Sequence, residues 1–204
     1  MRLRDLVPCA LLALLLTRTG AAQTRGRISL QTSAIYVHLS GDSAFSSTTS
    51  GPGAEAQLRL NINSISIGGG AQFSHHSSTG IQNIEPRVPI TLLGVFFEPR
   101  LVLPGNSNVF APYLSGRFAY FHQHYAGRVN ATAGGTQFNA GGGVLVSVTP
   151  GVNVDVGLTM GEMRFGAFHV PPGEGGNGEH DVSAQSGRNL VFRAGVAIGL
   201  GPGR

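Results

Sequence analysis

From Ala54 onward the chain alternates. Ala54, Ala56, Leu58, Leu60 and Ile62 would share one face of an extended strand, and Glu55, Gln57, Arg59 and Asn61 the other. The same comb returns near the C-terminus, where Leu190, Phe192, Ala194, Val196, Ile198 and Leu200 interleave with Arg193, Gly195, Ala197 and Gly199. A period of two belongs to a β-strand and not to a helix. In both segments the bulky apolar residues oppose the charged and small ones. Small and charged residues suit a narrow enclosed axis, so the apolar face is expected to point outward, the reverse of a soluble barrel.

Alternation and turn residues mark eight candidate strands, at 27–39, 54–62, 64–75, 88–101, 109–124, 137–148, 152–165 and 189–200. Their connections alternate in length. Segments 40–53, 76–87, 125–136 and 166–188 are long, whereas Asn63, Pro104-Gly105-Asn106-Ser107-Asn108 and Thr149-Pro150-Gly151 are tight. Long and short links in turn, with an even strand number, describe a membrane barrel whose loops lie on one side and whose turns and termini lie on the other. The expected fold is all-β: an eight-stranded antiparallel up-and-down transmembrane β-barrel, with long loops outside the cell and turns in the periplasm.

Within this scheme strand five sends Pro112, Leu114, Gly116, Phe118 and Tyr120 outward and Tyr113, Ser115, Arg117, Ala119 and Phe121 inward. Strand seven sends Val152, Val154, Val156, Leu158 and Met160 outward, opposite Asn153, Asp155, Gly157 and Thr159. Strand six places Phe138, Val144, Val146 and Val148 outward and Asn139, Gly141, Gly143 and Ser147 inward. Strand one breaks the pattern, because Ile28 and Leu30 share one face while Ile35, Val37 and Leu39 take the other. A bulge near Ser33 would bring them back into phase.

Residues 1–22 read as an export signal: Arg2 and Arg4 precede the apolar run Leu11 to Leu16, and Gly20-Ala21-Ala22 offers a cleavage site. The mature chain, 23–204, is expected to form a single barrel domain. No later stretch reaches the roughly 18 to 20 continuous apolar residues of a membrane helix. Loss of Arg2, Arg4, Arg18 and Asp5 with the signal lowers the formal charge from +4 to +2. The remaining arginines are scattered singly, without the basic stripe that nucleic acid requires. Cys9, the only cysteine, also lies in the signal, so no thiol, disulfide or thiolate metal site is expected in the mature protein.

Four short stretches carry a family likeness: Glu98-Pro99-Arg100 before a proline turn, Ala111-Pro112-Tyr113 opening the next strand, Thr149-Pro150-Gly151-Val152 in a tight turn, and Arg193-Ala194-Gly195-Val196 in the last strand. With them the chain resembles a small OmpA/OmpX-type outer-membrane β-barrel domain over residues 27–200. The resemblance implies an outer-membrane location in a Gram-negative cell and insertion by the outer-membrane assembly machinery. Such barrels usually end on an aromatic residue, whereas this chain continues past Leu200 into Gly201-Pro202-Gly203-Arg204. No peptidoglycan-binding segment is recognised after the barrel, so a wall-anchoring role is not expected.

The face assignments direct Glu55, Arg59, Glu98, Arg100, Arg117, Asp155 and Arg193 into the lumen. Eight strands leave an interior that side chains just fill. Confined together, three acids and four bases are expected to pair as a structural network, the alternative being a gated ion path. Bulk solute transport is not expected. The triplets Gly68-Gly69-Gly70 and Gly141-Gly142-Gly143 precede neither a helix nor a Lys-Ser/Thr pair, so they are read as strand glycines and not as phosphate loops.

The histidines His38, His75, His76, His122, His124, His169 and His180 fall at or beyond strand ends on the long-loop side. His122 and His124 share a face, but strand four would hold them about 10 Å from those of strand three at a spacing of about 4.8 Å. A polar rim is therefore the preferred reading, with neither a metal nor another cofactor expected. An enzyme reading has a definite form as well. His75-His76-Ser77-Ser78 followed by Glu85 is similar to the His-x-Ser motif of outer-membrane lipid A deacylases. That resemblance implies His75 as base, Ser77 as nucleophile and Glu85 as orienting acid, or His76 with Ser78. Ser78 or Thr79 stands where those enzymes carry asparagine.

The function expected of such a chain is structural or surface-interacting, with outer-membrane lipid and lipopolysaccharide as partners, no nucleic acid, and an unassigned surface ligand and oligomeric state. The longest loop, carrying Pro171-Pro172-Gly173, Glu174, Glu179, His180 and Asp181, is the expected contact surface. A lipocalin-like soluble carrier would need the apolar face turned inward.

Overall fold

A computed structural model describes residues 27–41, 48–77, 89–104, 107, 109–125, 132–170 and 180–200. The expected signal peptide, Ser78, Glu85, Glu174, Glu179 and the C-terminal tetrapeptide lie outside the described residues. Eight strands close into a barrel: β1 (Ile28–Gly41), β2 (Gly51–Ile62), β3 (Ile65–Ser77), β4 (Pro89–Val102), β5 (Phe110–Tyr125), β6 (Thr132–Thr149), β7 (Val152–Phe165) and β10 (Gln185–Leu200). All neighbours pair antiparallel, and β10 lies between β7 and β1. Closure removes both sheet edges, so the barrel wall leaves no row of unpaired backbone groups.

Two short strands, β8 (Phe168–Val170) and β9 (His180–Val182), form a hairpin of their own between β7 and β10. The sequence was expected to run as one unstructured loop there, because three-residue strands are too short to show a period. β6 likewise begins at Thr132, earlier than the expected 137, since Gly134 and Gly135 look like loop residues but lie in the ladder. Gly135 leaves space for the Phe165 ring, whose Cδ1 would clash with any Cβ there.

No bulge interrupts β1. Its register runs unbroken from Ile28 opposite Leu200 to Gly41 opposite Gly187, and burial alternates strictly from Ile28 to Leu39. Ile35, Val37 and Leu39 therefore face the lumen, buried to 4%, 2% and 5% exposure. The expected bulge came from assuming that every apolar residue must face out, and here three do not. The one irregularity in the β6–β7 ladder lies between Ser147 and Thr149, beside the Thr149-Pro150-Gly151 turn. Asn63, at φ 52°, makes the other closest turn, a left-handed conformation that Asn tolerates better than most side chains.

Outward positions form an uncharged band of constant height. On β7 they are Val152, Val154, Val156, Leu158 and Met160, followed by Glu162 and Arg164. On β10 the band runs from Leu200 back to Leu190 before Arg188, on β1 from Ile28 to Tyr36 before His38, and on β3 from Ile65 to Phe73 before His75. On β5 it runs from Phe110 to Tyr120, before His122 and His124. Each run is about 9–11 residues, the length with which a tilted strand crosses a bilayer core.

Candidate functional site

The lumen is filled in layers. Across its middle, Glu55 and Arg59 from β2, Glu98 and Arg100 from β4, Arg117 from β5, Asp155 from β7 and Arg193 from β10 meet, none more than 4% exposed. Strict alternation makes this possible, because each occupies an inward position of its own strand. Glu98 is the hub. It accepts from Arg100 Nε at 2.5 Å, Arg193 Nη1 at 2.9 Å, Arg59 Nη1 at 3.5 Å and Arg117 Nε at 2.7 Å, and Arg117 Nη2 donates to the same carboxylate.

The other two carboxylates complete the pairing. Glu55 accepts from Arg117 Nη1 at 2.7 Å and from Arg193 Nη1 at 3.3 Å. Asp155 lies 3.0 Å from Arg100 Nη1 and 3.5 Å from Arg193 Nε, and also accepts from Gln31 Nε2 at 2.5 Å. Four guanidiniums thus share three carboxylates through direct contacts. The belt keeps one positive charge in excess, and it is tolerable because each guanidinium touches at least one carboxylate, since desolvation costs several kcal/mol per ion.

Neutral groups that the sequence reading left outside the network complete it. Tyr113 donates to Asp155 Oδ1 at 2.6 Å, accepts from Arg193 Nη2 at 2.9 Å, and lies under the Arg100 guanidinium at 4.4 Å. Arg117 stacks over Phe96 at 4.0 Å and donates to Gln72 at 2.7 Å. Tyr113 was readable as inward, being four residues from Arg117 on one strand, but its contact with Asp155 reaches over β6 to β7 and leaves no trace in the sequence. Glycine makes the space: Gly143 and Gly157 oppose each other across β6–β7, and a Cβ on either would come within 2.5 Å of the Tyr113 hydroxyl.

Toward the long connections the lumen turns apolar. Ile35, Val37, Leu39, Ile90, Leu92, Phe96, Phe121, Met163, Phe165 and Val191 pack there as one cluster. At the boundary, Asn189 Oδ1 accepts from Asn139 Nδ2 at 2.6 Å and Gln137 Nε2 at 3.1 Å. On the tight-turn side Ser29, Gln31, Arg100 and Asn153 line a cavity of only about 10 Å³, room for about one water.

The histidine and serine residues divide between the faces. His75 points outward on the row His75, Thr91, His124, with Thr91 Oγ1 3.5 Å from its Nδ1. Ser77 lies two residues on, and its backbone exchanges hydrogen bonds with Thr49. The His75 ring therefore meets Thr91 and not Ser77, and Glu85 and Ser78 lie outside the described residues. The Ser–His contact present is a different one. Ser74 Oγ lies 2.9 Å from His76 Nε2, and His76 Nδ1 lies 2.9 Å from the Thr49 carbonyl, both side chains buried inside the wall. His76 was expected at a solvated rim, and instead ties β3 to Thr49, just ahead of β2. No group of three or more His, Asp or Glu among the described residues is placed to hold a metal.

No protein-family model matches the chain, and no curated protein does either. Solved structures do. Neisserial surface protein A superposes with a TM-score of 0.61 at 16% identity, over 86% of this chain and 98% of that one. The outer membrane protein OprG from Pseudomonas aeruginosa gives a TM-score of 0.60 at 10% identity, over 86% and 98%. The chain has the fold of the small OmpA/OmpX-type outer-membrane β-barrels. Within that fold its lumen is a side-chain-filled column, charged at mid-height and apolar toward the long connections.

Proposed function

We propose that the protein is an outer-membrane barrel with a structural or surface-interacting role, exported by a cleaved signal and inserted by the outer-membrane assembly machinery. Its long connections face outward and its tight turns face the periplasm. The observation that carries this reading is the occluded lumen: a paired ionic belt under an apolar plug has neither the width nor the continuous polar lining of a solute path. The outward uncharged band, of one bilayer's height on strand after strand, supports the location, as does the similarity to solved outer-membrane barrels. Contacts with lipopolysaccharide and with external ligands then fall to the rim and loops, on a scaffold whose interior keeps the wall rigid.

Reconstitution in a planar bilayer tests the occlusion. The protein is expected to insert, to migrate differently on a denaturing gel before and after heating, and to give no conductance steps. Stable steps from a folded, inserted sample would replace the scaffold with a channel.

A further inference from the structure

Where β7, β10 and β1 end on the long-connection side, their outer faces form a groove of about 450 Å³ that the lumen does not use. Arg164, Arg188, Glu162, Ser40 and Ser186 line it. Its floor is bare backbone: Gly41 opposes Gly187 across the β1–β10 ladder, and a Cβ on Gly41 would come within 2.5 Å of the Gly187 Cα. Among the described lining residues two arginines face one carboxylate. Glu162 pairs with Arg164 at 3.1 Å, both side chains exposed, while Arg188, opposite Glu162 in the ladder, pairs with no described residue.

The groove sits immediately beyond the outward apolar band, after Met160 on β7, Leu190 on β10 and Tyr36 on β1. That is headgroup depth, where an outward arginine ceases to be penalised by hydrocarbon. The rest of the described rim carries His38, His75, Thr91, His122 and Thr136 at corresponding outward positions. Arg164 and Arg188 are therefore the only arginines on the described outer wall at this end, and they lie diagonally on neighbouring strands, Arg188 opposite Glu162 and Arg164 opposite Ser186. Planar guanidiniums match phosphate oxygens in pairs, and a glycine floor lets a bulky headgroup approach the wall.

We propose that this groove binds the phosphate of an anionic lipid headgroup in the outer leaflet, Arg188 supplying one guanidinium fork and Arg164 the second. The inference rests on the outer-membrane reading above, which fixes the depth of the groove. It would fasten one arc of the rim to the lipid layer, leaving the remaining arc free.

Lipid A titrated into the folded, detergent-solubilised barrel, with native mass spectrometry counting bound lipid, tests it. Bis-phosphorylated lipid A is expected to bind; Arg188→Gln should weaken it roughly tenfold and Arg164→Gln with Arg188→Gln further. Dephosphorylated lipid A should bind the unaltered protein as poorly as lipid A binds the double variant. Arg27→Gln, at the opposite end of the wall, should change nothing. Equal binding of phosphorylated and dephosphorylated lipid, or no loss in the double variant, overturns the proposal, and competition by millimolar inorganic phosphate overturns the lipid as its source. Heat-modifiable migration and vesicle insertion, measured on the same samples, separate these outcomes from failure of the membrane reading itself.

Discussion

The two layers of the lumen obey one periodicity and opposite chemistry. The mid-height belt is a set of directional contacts in which Glu98 alone serves four arginines, and the layer toward the long connections is an apolar cluster in which no single contact is specific. Both are buried and both fill the same cylinder. What separates them is tolerance: a charge removed from the belt leaves its partners unmatched in a dry interior, whereas an apolar side chain exchanged for one of similar volume leaves only a packing adjustment.

That contrast can be broken at several points. Glu98→Gln is nearly isosteric, yet it strips the hub from Arg59, Arg100, Arg117 and Arg193 and should cost about 3–5 kcal/mol in reversible urea unfolding of the refolded barrel. A loss below about 1 kcal/mol would mean that water reaches the belt and screens it. Tyr113→Phe removes only a hydroxyl, but one joined to both Asp155 and Arg193, and is expected to cost about 1–3 kcal/mol by the same measurement. Leu92→Met, deep in the apolar layer, should cost less than about 1.5 kcal/mol. If Leu92→Met proved as damaging as Glu98→Gln, the two layers would not differ in kind. Truncation of the plug by Phe121→Ala sharpens the comparison from another side: the barrel should be less stable and still non-conducting, because the belt below remains closed.

How far the sequence revealed this follows from what alternation encodes. A period of two names the face of each residue once a strand is recognised, so the seven charged residues could be assigned inward from parity alone. It does not name the chemistry of a face along its whole length. Ile35, Val37 and Leu39 look like a phase error if the inward face is polar throughout, and only their cross-lumen neighbours, such as Leu92 and Phe121, reveal a second layer. Tyr113 shows the same limit, for its place in the belt depends on Asp155 two strands away. His76 was misplaced because a strand end was equated with a solvated rim, while Thr49 and Ser74 enclose its ring. The β8–β9 hairpin is too short for any period to register.

An apolar exterior around a filled lumen fixes which side of the wall each residue of β7 occupies. The only cysteine is Cys9, in the expected signal segment, so single cysteines can be placed at Asn153, Val154, Val156, Leu158, Thr159, Met160 and Glu162 and labelled for quenching by lipid-tail spin labels in vesicles. Quenching is expected at Val154, Val156, Leu158 and Met160, none at Asn153 or Thr159, and exposure to an aqueous quencher first at Glu162. Quenching by lipid at Asn153 and Thr159, or aqueous access along both faces, would contradict an apolar exterior around a filled lumen.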